Sequence, residues 1–119
     1  MVLNIDIAPT LLDFAGVPTP SVMQGRSLRG LVEKQRMRDW RTDWFYEHHF
    51  GPKIIPPSEG VRTERWKYIR YVNELPVVEE LFDLKRDRLE QRDLVGEAKH
   101  AAMLTQLRER WKTMSEEWK

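Results

Sequence analysis

Gly60-Val61-Arg62-Thr63-Glu64-Arg65-Trp66-Lys67-Tyr68-Ile69-Arg70-Tyr71-Val72 sets two runs of strand-forming residues on either side of Glu64-Arg65. β-Branched and aromatic side chains favour extended backbone, and a two-residue joint between such runs reads as a tight antiparallel pair. Strands are therefore expected over residues 60–63 and 66–72. Alternation puts Trp66, Tyr68, Arg70 and Val72 on one face, and Lys67, Ile69 and Tyr71 on the other.

Working outward, residues 44–50 are rich in aromatics and read as a further strand. Trp44, Tyr46, His48 and Phe50 share one of its faces; Phe45, Glu47 and His49 share the other. Between this strand and the hairpin lie Pro52, Pro56 and Pro57, which leave no regular structure there. Downstream, residues 79–84 supply a fourth strand, followed by a turn at Lys85-Arg86-Asp87. Leu104, Leu107, Trp111, Met114 and Trp118 then recur at intervals of three, four, three and four, which is one stripe of a helix over residues 99–117. Burying that stripe is worth on the order of 10 kcal/mol gross, before ordering costs. The expected fold is α+β: a small antiparallel sheet of about four strands with a long C-terminal helix on one face.

One or two short helices precede this sheet. The cluster Ile5, Ile7, Leu11, Leu12, Phe14 and Ala15 reads as a helix over residues 5–15, with Asn4 or Asp6 as cap, Pro9 in its first turn and Gly16 as a left-handed stop. Its apolar residues cover much of its circumference, so it is expected to pack against something large. Ser27 can cap a second helix ending at Val32 or Glu33. A charged connection follows, with Trp40 as its anchor. The expected division is 1–40, terminal helix and connection, and 41–119, the sheet and its helix.

Composition narrows the function. The chain has 119 residues, 20 basic and 19 acidic, for a net charge of +1, so nothing global draws it to nucleic acid or to anionic lipid. No stretch approaches the roughly 20 apolar residues that span a bilayer, and no membrane partner is expected. The absence of cysteine excludes disulfides, thiolate nucleophiles and thiolate metal sites. The opening residues 1–6 lack a basic segment followed by an apolar core, so they are not read as a signal peptide, and any export signal is expected upstream.

Three segments together carry a resemblance. They are Asn4-Ile5-Asp6-Ile7-Ala8-Pro9-Thr10-Leu11-Leu12-Asp13-Phe14-Ala15-Gly16-Val17 with Gln24-Gly25-Arg26-Ser27-Leu28; the hairpin Gly60 to Arg70; and Glu79-Glu80-Leu81-Phe82-Asp83-Leu84 with Asp87, Glu90 and Leu94. In order and spacing the chain resembles the C-terminal region of the formylglycine-dependent sulfatases, sulfuric ester hydrolases of the alkaline phosphatase superfamily. It departs from that pattern at Arg88, where proline is usual, and at Asp93, where asparagine is common. The resemblance implies the same small sheet and helix. It also implies that the first segment is a late helix of a catalytic α/β domain, so that its apolar surface would lack its partner here and could drive self-association.

For the parent enzyme the resemblance implies calcium, a formylglycine made from a Cys/Ser-x-Pro/Ala-x-Arg motif, sulfated carbohydrate as substrate, and a periplasmic or secreted location. The chemistry needs positive charge around an anionic ester and a strong nucleophile. Ser21, Ser27, Ser58 and Ser115 are not followed by Pro/Ala-x-Arg, and Asp6 and Asp13 do not match the paired aspartates of the metal site. No catalytic residue, metal ligand or cofactor is therefore assigned to this chain. The expected function is a truncated, non-catalytic subdomain that packs on the sulfatase catalytic domain and shapes substrate access, with no turnover by itself.

His48, His49 and Lys53 are the candidates for reaching substrate, since a cation or imidazole suits a sulfated sugar. Against that stands the plainer reading, in which one histidine faces the packed side and the other faces water. The two histidines are not expected to share a metal ion, because neighbours on a strand point to opposite faces. The alternative function is a stand-alone module binding sulfated glycan or nucleic acid through Arg62, Arg65, Lys67, Tyr68, Arg70 and Tyr71. Glu79, Glu80, Asp83 and Asp87 read as a solvated edge.

Overall fold

The structure is a computed structural model, described for residues 1–35, 37–49 and 55–117, in which the chain forms two compact units, Met1–Arg41 and Thr42–Lys119. In the second unit, β1 (Asp43–His48), β2 (Ser58–Thr63), β3 (Trp66–Tyr71) and β4 (Val78–Asp83) form one antiparallel sheet in chain order. The hairpin turns at Glu64-Arg65, as its sequence requires. Thr63 fixes that turn: its hydroxyl accepts from the backbone N–H groups of Arg65 and Trp66 at 3.3 and 2.8 Å.

The register places Phe45, Val61, Tyr68 and Leu81 in one row across the four strands. The last three are fully buried. Helix α3 (Ala101–Glu117) closes over this face and contributes Leu104, Leu107 and Met114 to the core. The residues just before it, Ala98–His100, form a 3-10 turn, so the α-helix begins two residues later than its periodicity suggests. Trp111 differs from the expected stripe. It is only half-buried, packing against the core with its indole N–H turned to Glu59. Trp118 lies outside the described residues.

The segment after β4 returns along the sheet edge. Asp93 Oδ1 accepts from the backbone N–H groups of Leu81 and Val95, both at 2.9 Å, and Leu94 N–H bonds to Leu81 O at 2.8 Å. A single acceptor oxygen carries both Asp93 bonds, and an amide oxygen would serve equally, which accounts for aspartate where asparagine is common. Arg88 sits exposed in a turn that imposes no need for proline.

On the opposite face, Gly60 is required by close approach. A Cβ there would lie 2.2 Å from the Tyr68 carbonyl oxygen and 2.6 Å from the Tyr46 ring. Burial raises the Tyr46 hydroxyl pKa above its ordinary value, helped by Tyr71, Glu90 and Glu80.

The first unit holds a 3-10 turn (Asn4–Asp6), α1 (Ile7–Phe14) and the short α2 (Arg29–Val32). Gly16, at φ +70°, stops the chain after α1. This unit is organised around the buried Asp6 carboxylate. It accepts from Leu3 N–H at 2.8 Å, Arg26 N–H at 2.9 Å, and both terminal nitrogens of Arg41, one at 2.8 Å. Burial alone would raise its pKa; the Arg41 guanidinium and the two backbone donors outweigh that and hold it at about 2. Trp40 does act as an anchor: its indole N–H bonds to Met1 O at 2.6 Å, and Arg26 and Arg41 lie over its ring. Ile7, Leu11 and Phe14 on α1 are each more than half exposed.

Candidate functional site

The two histidines at the end of β1 part to opposite faces, as strand alternation demands. His48 joins Trp44 and Tyr46 on the face away from α3. Its Nε2 is shut off from solvent and has no hydrogen-bond partner among the described residues. His49 belongs to the helix-side face with Glu47. Lys53 lies outside the described residues.

Glu47 pairs directly with Glu59 across the β1–β2 ladder, and His49, two residues on, leans back over that pair. His49 Nε2 stands 3.4 Å from Glu59 Oε1 and 4.0 Å from Glu47 Oε2. Glu59 is buried, while Glu47 and His49 keep access to water. Trp111 Nε1 donates to the second Glu59 oxygen at 3.0 Å, so α3 fixes the orientation of this carboxylate.

A polar network continues along the same row. Arg70 lies 4.7 Å from the Trp111 ring centroid and donates to Glu79 at 3.2 Å. Tyr68 donates its hydroxyl to Glu79 at 2.5 Å, and Arg108 of α3 grips the same carboxylate with two nitrogens. Burial works to raise the Glu79 pKa, but Arg108, Tyr68 and Arg70 together lower it. Burial, with the Glu79 acceptor, pushes the Tyr68 hydroxyl up to about 12.

Glu79 and Asp83 are thus not the solvated edge expected of them. Asp83 is buried and lies under Arg65, whose guanidinium bonds lower its pKa. The basic-aromatic residues of the hairpin are also dispersed. Arg62, Lys67 and Tyr71 occupy one face; Tyr68 and Arg70 occupy the other; Arg65 sits in the turn. Arg65, Lys67 and Arg70 each hold an acidic partner, in Asp83, Glu90 and Glu79.

Among the described residues, several of those weighed above for a calcium site and a nucleophile are engaged otherwise. Asp6 is saturated by Arg41 and two backbone donors. Asp13 accepts from Ser27 Oγ at 2.5 Å and pairs with Arg29. Of the serines, Ser27 is spent on Asp13, and Ser115 is buried and donates to Lys112 O. No cysteine exists. A half-open carboxylate–imidazole cluster and a sequestered imidazole stand on either side of one strand end. Glu59 and Trp111 are the members the sequence concealed. The Glu47-x-His49 spacing does announce a shared face, but Glu59 joins it only through a register that the proline-rich connection hides.

Comparison with known proteins places this geometry in context. A family model described as N-sulphoglucosamine sulphohydrolase, C-terminal, matches residues 1–117. The chain is 36% identical over 103 residues to an N-acetylglucosamine-6-O-sulfatase of Bacteroides thetaiotaomicron, covering 83% of this chain and 18% of that protein. It is 32% identical over 88 residues to human arylsulfatase K, covering 70% and 16%. A solved structure of a protein in complex with its substrate, D-glucosamine-2-N,6-O-disulfate, superposes with a TM-score of 0.84 at 32% identity, over 93% of this chain and 23% of that one. The chain therefore spans about a fifth of the length of the relatives it matches.

Proposed function

The chain belongs to the N-sulphoglucosamine sulphohydrolase C-terminal family, the C-terminal region of sulfatases, and on that premise we propose that it is a non-catalytic subdomain that packs on a sulfatase catalytic domain and shapes access of sulfated sugar to the active site. The observation that carries this reading is the family match over residues 1–117, in a chain where Asp6 is held by Arg41 and Asp13 by Ser27 and Arg29. The catalytic domain, with its calcium and formylglycine, would come from the remainder of a longer sulfatase. The half-exposed apolar side of α1, formed by Ile7, Leu11 and Phe14, suits burial against such a domain. The β1 end, with His48 and His49, is the part proposed to meet substrate.

In a full-length sulfatase carrying this sequence as its C-terminal region, His48→Ala and His49→Ala should raise KM for a sulfated sugar while changing kcat little. Hydrolysis of a small aryl sulfate should be unaffected, because remote contacts bind substrate without entering the bond-breaking step. Equal losses of kcat on both substrates would contradict an access role and point to direct participation in the chemistry.

A further inference from the structure

We propose that the sheet face turned away from α3 docks on the sulfatase catalytic domain, and that Arg62 there pairs with an Asp or Glu carboxylate which that domain presents. The inference rests on the packing role proposed above and adds the face and the charge that receive it. The face carries Trp44, Tyr46, Arg62, Lys67 and Ile69, with His48 at its end. A face of an antiparallel sheet that is left to water is ordinarily polar. Here Trp44, Tyr46 and Ile69 are each half-buried, and the two rings lie 5.7 Å apart.

Arg62 supplies the sign of the partner. It is half-buried, and its guanidinium has neither a hydrogen-bond nor an ion-pair partner among the described residues. The other half-buried arginines and lysines among them, Arg29, Arg41, Lys67, Arg70 and Arg110, each hold a carboxylate. In the ladder Arg62 stands directly between Trp44 and Lys67, and like charges so placed repel. Glu90 neutralises Lys67; no described residue does the same for Arg62. A guanidinium partly withdrawn from water, with five donors to satisfy, favours a carboxylate that accepts two of them at once.

His48 Nε2, on the same face, is likewise without a partner among the described residues. Two unmet polar groups beside an aromatic pair fit a protein surface better than bulk water. Tryptophan and arginine are also the residues that most often anchor such interfaces. The matched relatives are several times longer than this chain, so the occupant is the remainder of a longer sulfatase. Docking on this face carries the β1 end, with His48, toward that domain.

The test compares the 119-residue chain with a full-length sulfatase that carries it as its C-terminal region. Hydroxyl-radical footprinting read by mass spectrometry should label Trp44 and Tyr46 severalfold more slowly in the full-length protein. In the Arg62→Lys variant of that protein, spacer-free carbodiimide coupling should join the new amine to an Asp or Glu of the catalytic domain. Arg62→Leu should lower the urea midpoint of the full-length protein and leave that of the 119-residue chain unchanged, because only the former holds the partner carboxylate. Arg88→Leu, at an exposed turn position, should alter neither. Protection of Phe14 on α1 without protection of Trp44 would overturn the choice of face and leave the packing role standing. Equal labelling of both residues in the two proteins would overturn both. Coupling to a second copy alone, or to no carboxylate of the catalytic domain, would overturn the ion pair and the proposal with it.

Discussion

Replacing Asp6 by Asn tests how the first unit is held together. The carboxylate has four donors and no exposure, and Arg41 facing it is itself mostly buried. Asparagine keeps the shape but turns one acceptor into a donor and removes the charge opposite Arg41. The folded pKa of about 2 against an ordinary 3.8, at roughly 1.4 kcal/mol per pH unit, gives a contribution of about 2 kcal/mol near neutral pH. The unmatched Arg41 and a lost backbone bond add to it, so about 3 kcal/mol is the expected cost.

Amide exchange at Leu3 and Arg26 reads this locally, because their N–H groups are the donors. A loss of that size speeds exchange by about two orders of magnitude. The sign with pH follows from the lowered pKa. The stabilisation is complete above 3.8 and declines as pH falls through about 2. Wild-type and Asp6→Asn stabilities should therefore converge on acidification. Equal protection at pH 7, or a gap that stays constant down to pH 2, would refute the assignment of Asp6 as the organising charge.

Gly60→Ala should destabilise the sheet by about 2 kcal/mol or more, because its Cβ meets a backbone oxygen that cannot move aside; urea denaturation followed by tryptophan fluorescence measures it. Leu107→Ala removes a side chain that is 3% exposed between α3 and the sheet and should cost about 2–5 kcal/mol in the same assay. All three tyrosines have raised pKa values, with Tyr68 at about 12. Absorbance of tyrosinate should therefore lag that of free tyrosine as pH rises, and full ionisation near pH 10 in the folded chain would contradict the buried Tyr68–Glu79 bond.

The sheet was legible because its cues are local. Two residues separate the β2 and β3 runs, and alternation puts Trp66 and Tyr68 on one face without knowledge of the rest; that Val61 shares this face and that α3 covers it comes from the register and the packing. The α3 stripe likewise follows from spacing alone. The polar framework was not legible, because its partners are distant in sequence. Asp6 meets Arg41, 35 residues on, and Glu59 meets Trp111, 52 residues on. A carboxylate reads as exposed unless its cation is known, which is why Glu79 and Asp83 were expected in solvent but lie under Arg108 and Arg65. Trp111 was expected in the core on hydrophobicity, yet its N–H needs an acceptor, and Glu59 draws it to the rim. Of the site residues, His48 and His49 fall on opposite faces as period two dictates, whereas the place of Glu59 beside His49 required the register.

The role proposed for these residues is that of a scaffold that does not by itself cleave a sulfate ester. The direct measurement is release of phenol from an aryl sulfate by the folded 119-residue chain in calcium-containing buffer, with circular dichroism confirming the sheet and helix. The account predicts a rate equal to the buffer alone. Saturable multiple turnover that copurifies with the chain would contradict it.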